Sequence, residues 1–200
     1  MPKSEKRKFV KNKIGLFLVV VALNSIGYKL VQYLRPTGII VNTWIDSFIP
    51  YISYFSVPYA LYPVLGILPF VLYWKNYKEY RTMALSMITV FLISIFIYLT
   101  LQTQVIRENV EATDLFNWGT SVAYSLDSPV NAFPSLHVSI PTIATLFVYI
   151  KKKKLGLYIA PLTLLVILST VFIKQHAAVD VLGGLVLAFS VFKFRHIFEK

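Results

Sequence analysis

Cysteine is absent from the 200-residue chain, and acidic residues are few, at nine against twenty Lys and Arg. The lack of cysteine excludes disulfides, thiolate nucleophiles and thiolate metal sites. Charged residues make up only 14% of the sequence, whereas 56% of the residues are hydrophobic and the mean hydropathy is +0.65. Soluble domains of this length are less apolar, so the composition predicts a membrane protein with no separate soluble domain.

Long apolar runs separated by shorter polar stretches predict six membrane-spanning helices, because each run approaches the ~20 residues needed to cross a bilayer. We therefore expect an all-α fold, an integral membrane six-helix transmembrane bundle. A basic tail over residues 1–13 precedes this single six-span domain, which covers residues 14–200. The predicted spans are residues 14–34, 51–74, 82–101, 135–150, 155–173 and 177–191.

Polar residues recur at every fourth position in the first predicted span, at Asn24, Tyr28 and Gln32. This spacing places the three side chains on one helix face. Because polar groups are costly in lipid, we expect that face to point into the bundle. The second predicted span contains Pro58, Pro63 and Pro69, which predict kinks rather than a straight helix.

Positive charge is distributed unevenly between the two sides of the predicted bundle. Sixteen of the twenty Lys and Arg residues lie in the N-terminal tail, the two loops at 75–81 and 151–154, and the C-terminal tail at 193–200. Cytoplasmic loops are enriched in Lys and Arg, so both termini are predicted to be cytoplasmic. The protein would be a multi-pass plasma membrane protein with its site facing outside. The same distribution indicates that the net charge of +11 does not serve to bind nucleic acid.

His176 and Asp180 are four residues apart at the start of the sixth predicted span and so share one helix face. A carboxylate that accepts from one imidazole nitrogen fixes the tautomer and leaves the other nitrogen free to attack. The alternative is a buried polar pair that only locks helices together. Metal binding by two histidines and this carboxylate is a weaker possibility, because no HExxH or similar ligand spacing is present.

Pro134, Ser135 and His137 lie where the fourth predicted span begins. Serine is a favoured N-cap, and the amides of a first helical turn favour phosphate. Taken alone, Ser135 would be explained as an ordinary helix cap and His137 as a packed histidine. Arg107 and Lys174 are the strong cations expected close by; Arg grips phosphate through two hydrogen bonds and Lys acts as a point charge. Their alternative role is interfacial snorkelling.

Two motifs formed by these residues resemble those of the type 2 phosphatidic acid phosphatase superfamily of membrane enzymes. Pro-Ser-x-His is matched at Pro134, Ser135 and His137, and Ser-Arg-x5-His-x3-Asp is matched at Ser169, His176 and Asp180. The flanking residues resemble the bacterial branch. The stretches at 46–50 and 57–59 are similar to the branch that includes inositol phosphorylceramide synthase-like proteins.

The resemblance implies a catalytic role for three residues. His176 would attack phosphorus and form a phosphohistidine, Asp180 would orient it, and His137 would protonate the leaving group and then activate water. Ser135, Arg107, Ser169 and Lys174 are expected to bind phosphate, and no metal or other cofactor is required.

The chain departs from the family pattern at three positions. Thr100 and Glu108 stand where the first motif has Lys and Pro, and Thr170 replaces the Arg of the third motif. Two phosphate-binding cations are therefore missing, and Lys174 is a candidate to supply one of them.

The sequence thus predicts a membrane lipid-phosphate phosphatase whose partners are the bilayer and a lipid phosphate. Its substrate would be phosphatidic acid, a polyprenyl diphosphate or a phosphatidylglycerol phosphate. One alternative is a phosphotransferase that moves a phosphoryl headgroup onto an alcohol. Another is a non-catalytic lipid binder or transporter on the same scaffold.

Overall fold

The computed structural model describes residues 3–199, with side chains from residue 10 onward, and 74% of it is helical. Residues 1–2 of the predicted basic tail, and the side chains of residues 3–9, lie outside this description. The remainder of that tail is the start of the first helix. The α-helices are α1 (Lys3–Ala22), α2 (Tyr28–Leu34), α3 (Trp44–Phe48), α4 (Ser56–Tyr59), α5 (Tyr62–Leu72), α6 (Tyr77–Thr100), α7 (Leu115–Leu126), α8 (Leu136–Lys151), α9 (Lys153–Phe172) and α10 (Ala178–Lys193).

Shorter elements complete the fold. A π-helical segment joins α1 to α2, and short 3-10 helices precede α4 and follow α10. Two two-residue strands, β1 and β2, pair in parallel and connect the loop after α2 to the loop after α6. These elements are Leu23–Gly27 (π), Ser53–Phe55 and Arg195–Phe198 (3-10), Ile39–Ile40 (β1) and Thr103–Gln104 (β2).

Four helical segments of the described chain are long and apolar enough to cross a membrane: Val10–Leu34, Ser53–Leu72, Tyr77–Thr100 and Lys153–Phe172. The second of these is broken between α4 and α5, within the proline-rich stretch where kinks were expected. The predicted fourth and sixth spans correspond to α8 and α10, which have 16 residues each. The all-helical prediction is confirmed, whereas the count of six spans remains a prediction.

Helix α8 is the centre of the bundle and packs against α5, α6, α9 and α10. Its approach to α10 is close where α8 begins. A Cβ atom on Gly184 of α10 would lie 2.7 Å from the carbonyl oxygen of Ser135. Glycine is therefore needed at position 184, and the close approach brings the histidine-bearing ends of the two helices together.

The end of the bundle where α5 and α8 finish is the basic end, defined by Lys13, Trp74, Glu79 and Lys151. The Lys13 ammonium donates to the Trp74 carbonyl oxygen, and Lys151 forms an ion pair with Glu79 at 3.1 Å. Of the Lys and Arg residues predicted to be cytoplasmic, those of the 75–81 and 151–154 loops and Lys193 at the end of α10 belong to this end.

The opposite end is the site end, made of the loops at 101–114, 127–135 and 173–177. Helix α7 lies within the stretch that was expected to be a polar loop. It begins at an N-cap, because Asp114 accepts hydrogen bonds from the amides of Phe116 (2.8 Å) and Asn117 (2.9 Å).

Candidate active site

His176 is positioned by the tight turn between α9 and α10. The carbonyl oxygen of Thr170 accepts hydrogen bonds from the amides of Gln175 and His176, both at 2.9 Å. Lys174 adopts a left-handed backbone with φ of 55°, which reverses the chain direction. The turn therefore holds His176 two residues before α10 begins, with Ala177 as the N-cap between them.

The His176 imidazole faces Asp180, as the four-residue spacing predicted. Nδ1 of His176 lies 3.4 Å from Oδ2 of Asp180, and the two side chains are 3% and 0% exposed. The same carboxylate oxygen accepts from the Ala177 amide at 2.8 Å, which anchors it. Because a carboxylate only accepts, it favours a proton on Nδ1 and leaves Nε2 of His176 with its lone pair available.

His137 occupies the other side of that nitrogen. Its Nδ1 lies 3.2 Å from Nε2 of His176, and its Nε2 lies 2.8 Å from the Tyr59 hydroxyl. The rings of Tyr59 and Tyr62 pack on the His137 ring at centroid distances of 4.9 and 4.5 Å. The structure thus aligns four side chains in the order Asp180, His176, His137, Tyr59. Sequence reasoning missed Tyr59 as a site residue, since its contact with His137 joins segments far apart in the chain.

Ser135 lies directly before α8 and is fully buried. Its amide donates to the carbonyl oxygen of Asp180 at 3.1 Å, which ties the two motifs together. Its hydroxyl was expected to cap α8 but forms no cap hydrogen bond and has no partner among the described residues. A buried hydroxyl without a partner costs about 1–3 kcal/mol, so a ligand oxygen or water at this point would be stabilising.

Arg107 reaches the site from the loop after β2. Its Nη1 donates to the carbonyl oxygen of Asp127 at 2.8 Å, and its guanidinium lies 4.5 Å from the centre of the Tyr124 ring. Nε and Nη2 are buried and have no partner among the described residues. Burial lowers the pKa of Arg107, but a guanidinium remains protonated at neutral pH. Arg107 also lies within electrostatic range of His137, and its two unused donors suit an anion.

Asp127 is a buried carboxylate beside this cluster that sequence reasoning did not single out. It accepts hydrogen bonds from Gln32 (2.7 Å), Gln175 (2.9 Å) and the Tyr28 hydroxyl (3.2 Å). Tyr28 and Gln32 are buried, so the prediction that this face of the first span points inward is confirmed for both residues. It is wrong for Asn24, which is exposed. Since Gln175 precedes His176, Asp127 couples α2 to the catalytic turn.

Lys174 and Ser169, both predicted to bind phosphate, make their contacts elsewhere. The Lys174 ammonium donates to the carbonyl oxygens of Asp46 (3.0 Å) and Ile49 (2.5 Å). The Ser169 hydroxyl donates to the carbonyl oxygen of Val166 in its own helix at 2.6 Å. Backbone carbonyls thus take up two of the three ammonium hydrogens of Lys174 and the hydroxyl hydrogen of Ser169, and phosphate binding by either residue stays a prediction.

Asp46 holds the start of α10. One carboxylate oxygen accepts from the Ala178 amide at 2.7 Å, and the other accepts from the amide and hydroxyl of Thr43 at 2.7 and 2.9 Å. Together with the Lys174 contacts, these hydrogen bonds fix the 43–50 loop, which includes α3, against the chain just before and just after His176. We term this loop the clamp loop.

No group of three or more His, Cys, Asp or Glu side chains in the described part of the chain is placed to hold a metal ion. The two ring nitrogens of His176 already face Asp180 and His137. Those of His137 face His176 and Tyr59.

Apolar helices long enough to span a bilayer, with a His–His–Asp cluster at one end, define the class as a membrane protein with a candidate phosphoryl-transfer site. The sequence matches the family model of the PAP2 superfamily over residues 33–194, and the chain belongs to that superfamily. The resemblance inferred from the two motifs is confirmed, whereas the inositol phosphorylceramide synthase-like branch remains a prediction. Comparisons with curated proteins and with solved structures found no match. Membership supports a phosphatase- or phosphotransferase-type function on a lipid phosphate in a membrane.

Proposed function

We propose that this protein is a membrane lipid-phosphate phosphatase that works through a phosphohistidine on His176. The observation that carries the proposal is the alignment of Asp180, His176 and His137, with nitrogen atoms of the two rings 3.2 Å apart. A nucleophile flanked by an orienting carboxylate and by an acid–base group is the arrangement that two-step phosphoryl transfer requires.

In the first step, Nε2 of His176 attacks phosphorus and the bond from phosphorus to the lipid oxygen breaks. The leaving oxygen takes a proton from doubly protonated His137, which becomes neutral, while Asp180 balances the positive charge on the phosphorylated ring. In the second step, His137 takes a proton from water as the water oxygen attacks phosphorus. The phosphorus–nitrogen bond breaks and inorganic phosphate is released. The phosphoryl group would enter between the two rings, replacing their mutual contact.

The phosphate oxygens would be held by the buried polar atoms that lack partners, Ser135 Oγ and the Nε and Nη2 atoms of Arg107. Thr100 and Thr170 do not replace the missing cations, because their hydroxyls donate to carbonyl oxygens in their own helices. We propose that Lys174 and Ser169 support the position of His176 instead of touching phosphate.

We further propose that the site end faces outward from the plasma membrane and that both termini are cytoplasmic. The distribution of Lys and Arg along the sequence supports this orientation, because the two tails and the 75–81 and 151–154 loops carry sixteen of the twenty. A lipid headgroup in the outer leaflet would then reach His176 while its hydrocarbon stays in the bilayer. Phosphatidic acid, polyprenyl diphosphate and phosphatidylglycerol phosphate all meet this requirement.

A phosphotransferase is the second candidate, favoured by a specific feature of the phosphate pocket. Arg107 is the one strong cation placed near the histidines in the described chain, and the Asp127 charge lies within electrostatic range of His137. Weak binding of the phosphate charge would suit a lipid substrate that is a phosphodiester. An alcohol would then take the place of water in the second step. The intact His–His–Asp alignment disfavours a third possibility, a non-catalytic lipid binder or transporter.

Phosphate release by the detergent-purified protein from a panel of lipid phosphates and diphosphates tests the proposal. We expect release by the wild type, none by His176→Ala, and wild-type release by His196→Ala, which removes an exposed histidine outside the site. Full activity in His176→Ala would contradict the mechanism. Activity should persist in EDTA, because the scheme uses no metal.

Quenched reactions analysed by mass spectrometry should locate phosphate on His176, and His137→Ala should accumulate that species. Adding candidate alcohols separates hydrolysis from transfer. A new phosphodiester with little free phosphate would identify the transferase.

A further inference from the structure

An apolar groove runs along the outside of the bundle between α1 and α5, and it begins beside the histidine cluster. It consists of two cavities, an inner one of about 200 Å³ and an outer one of about 720 Å³. Phe17, Ile67 and Phe70 line both cavities, so the two lie next to each other. The outer cavity ends at Trp74 and Lys75, close to the basic end.

Tyr62 forms a wall shared by the groove and the proposed active site. Its ring lies 4.5 Å from the His137 ring, centroid to centroid, and also lines the inner cavity. Its hydroxyl donates to Oδ1 of Asn24 at 3.0 Å, and Asn24 lines the same cavity. A molecule that reaches from His137 past Tyr62 therefore enters the inner cavity.

The lining of the groove specifies hydrocarbon as its occupant. Asn24 and Tyr62 are the polar residues of the inner cavity, and both are used by their mutual hydrogen bond; the other lining residues are apolar. Val21 and Ile67 are 41% and 47% exposed, so the groove opens sideways from the bundle. In a bilayer that side meets lipid chains and not water.

The dimensions suit one chain. A cavity of ~150 Å³ holds a single benzene molecule, so an inner cavity of about 200 Å³ has room for one chain segment and not for two. The wall of the inner cavity is closely packed at Gly66, where a Cβ would lie 3.2 Å from Cγ2 of Ile140. From Tyr62 to Leu72 the groove follows α5 for about 15 Å, at 1.5 Å per residue.

We infer that this groove binds one hydrocarbon chain of the phosphorylated lipid, placing the phosphate at His176 and the chain past Tyr62 along α5. The inference rests on the proposed function, because the chain is that of the substrate. It adds a specificity that the histidine cluster alone does not provide. Turnover should depend on the length of the hydrocarbon, up to the length of the groove.

Two phosphomonoesters that differ only in chain length, butyl phosphate and hexadecyl phosphate, provide the test. Ile67→Trp should fill the junction of the two cavities. Val64→Trp makes the same change on α5 at an exposed residue that lines neither cavity, and serves as the control. The readout is the ratio of kcat/KM for hexadecyl phosphate to that for butyl phosphate.

We expect Ile67→Trp to lower this ratio about tenfold, since several methylene contacts are lost, and Val64→Trp to leave it unchanged. An unchanged ratio in a folded Ile67→Trp protein would overturn the inference. So would an equal fall in both tryptophan variants.

A hexadecyl phosphate with a photoreactive diazirine at the end of its chain gives a readout that does not need turnover. Cross-links on α1 and on the part of α5 near Trp74 support the groove, even if the wild type releases no phosphate and the proposed function fails. Cross-links confined to other helices overturn the groove, even if phosphate release is normal.

Discussion

The Tyr59 hydroxyl lies 2.8 Å from Nε2 of His137, at the far end of a line of contacts that begins at Asp180. The Asp180 carboxylate favours a proton on Nδ1 of His176, which leaves Nε2 of His176 as an acceptor. In its neutral resting form His137 must then donate from Nδ1, so its own Nε2 accepts. Tyr59 is consequently the donor at the far end of the chain, and it holds His137 in the tautomer that points a proton toward the nucleophile.

Tyr59→Phe should therefore lower kcat about tenfold while KM changes little, because the acid–base group loses its orientation but the phosphate contacts remain. The limb of the pH–rate profile that reports His137 should also move, which a purely structural role of the phenol would not cause. Tyr51→Phe is the matched control, since its hydroxyl donates to Asn117 and not to a histidine. An unaltered kcat and pH profile in Tyr59→Phe would refute the assignment.

Arg107→Lys should weaken phosphate binding although it keeps the positive charge. The guanidinium holds the Asp127 carbonyl with Nη1 and still has Nε and Nη2 free, whereas an ammonium presents one point charge and cannot reproduce both contacts. We expect KM for the lipid phosphate, and the inhibition constant of inorganic phosphate, to rise about tenfold.

Arg35→Lys provides the comparison for Arg107, because Arg35 is an exposed arginine at the same end that donates to the Leu99 carbonyl. If inorganic phosphate inhibits wild type, Arg35→Lys and Arg107→Lys equally, Arg107 has no direct contact with phosphate.

Local patterns in the sequence predicted the helical fold and the spacing of the motifs. His176 and Asp180 are four residues apart, and their contact is local: His176 lies in the turn before α10, and Asp180 is held in the first turn by the Ala177 amide. The meeting of His137 with His176 could not be derived in this way. It depends on the close packing of α8 and α10 at Gly184, which is a tertiary contact.

Two other features were missed for different reasons. Helix α7 carries a recognisable start signal at Asp114, but the surrounding acidic residues favoured the interpretation as a loop. Strands β1 and β2 have two residues each, too few to show a periodic pattern. Tyr59 and Asp127 gave no local signal at all, because their partners lie tens of residues away in the sequence.

Asp127→Ala should destabilise the folded protein more than the loss of an exposed carboxylate does. The substitution leaves the buried donors of Tyr28, Gln32 and Gln175 without their acceptor, which should lower the free energy of unfolding by about 2–4 kcal/mol. Thermal unfolding in detergent measures the effect. Asp114→Ala removes an exposed carboxylate from the same stretch and should shift the midpoint less. Equal shifts would show that Asp127 does not organise the site end.

Lys174→Ala tests whether the Lys174 ammonium binds phosphate or only supports the structure of the site. The ammonium donates to two carbonyl oxygens of the clamp loop, so its loss should loosen that loop and lower both thermal stability and kcat. The inhibition constant of inorganic phosphate should stay at the wild-type value, because no phosphate contact is removed. Asp46→Ala should reproduce this pattern, since it breaks the clamp loop from the other side at the Ala178 amide. A rise in the phosphate inhibition constant in Lys174→Ala but not in Asp46→Ala would instead make Lys174 the replacement for one of the missing cations.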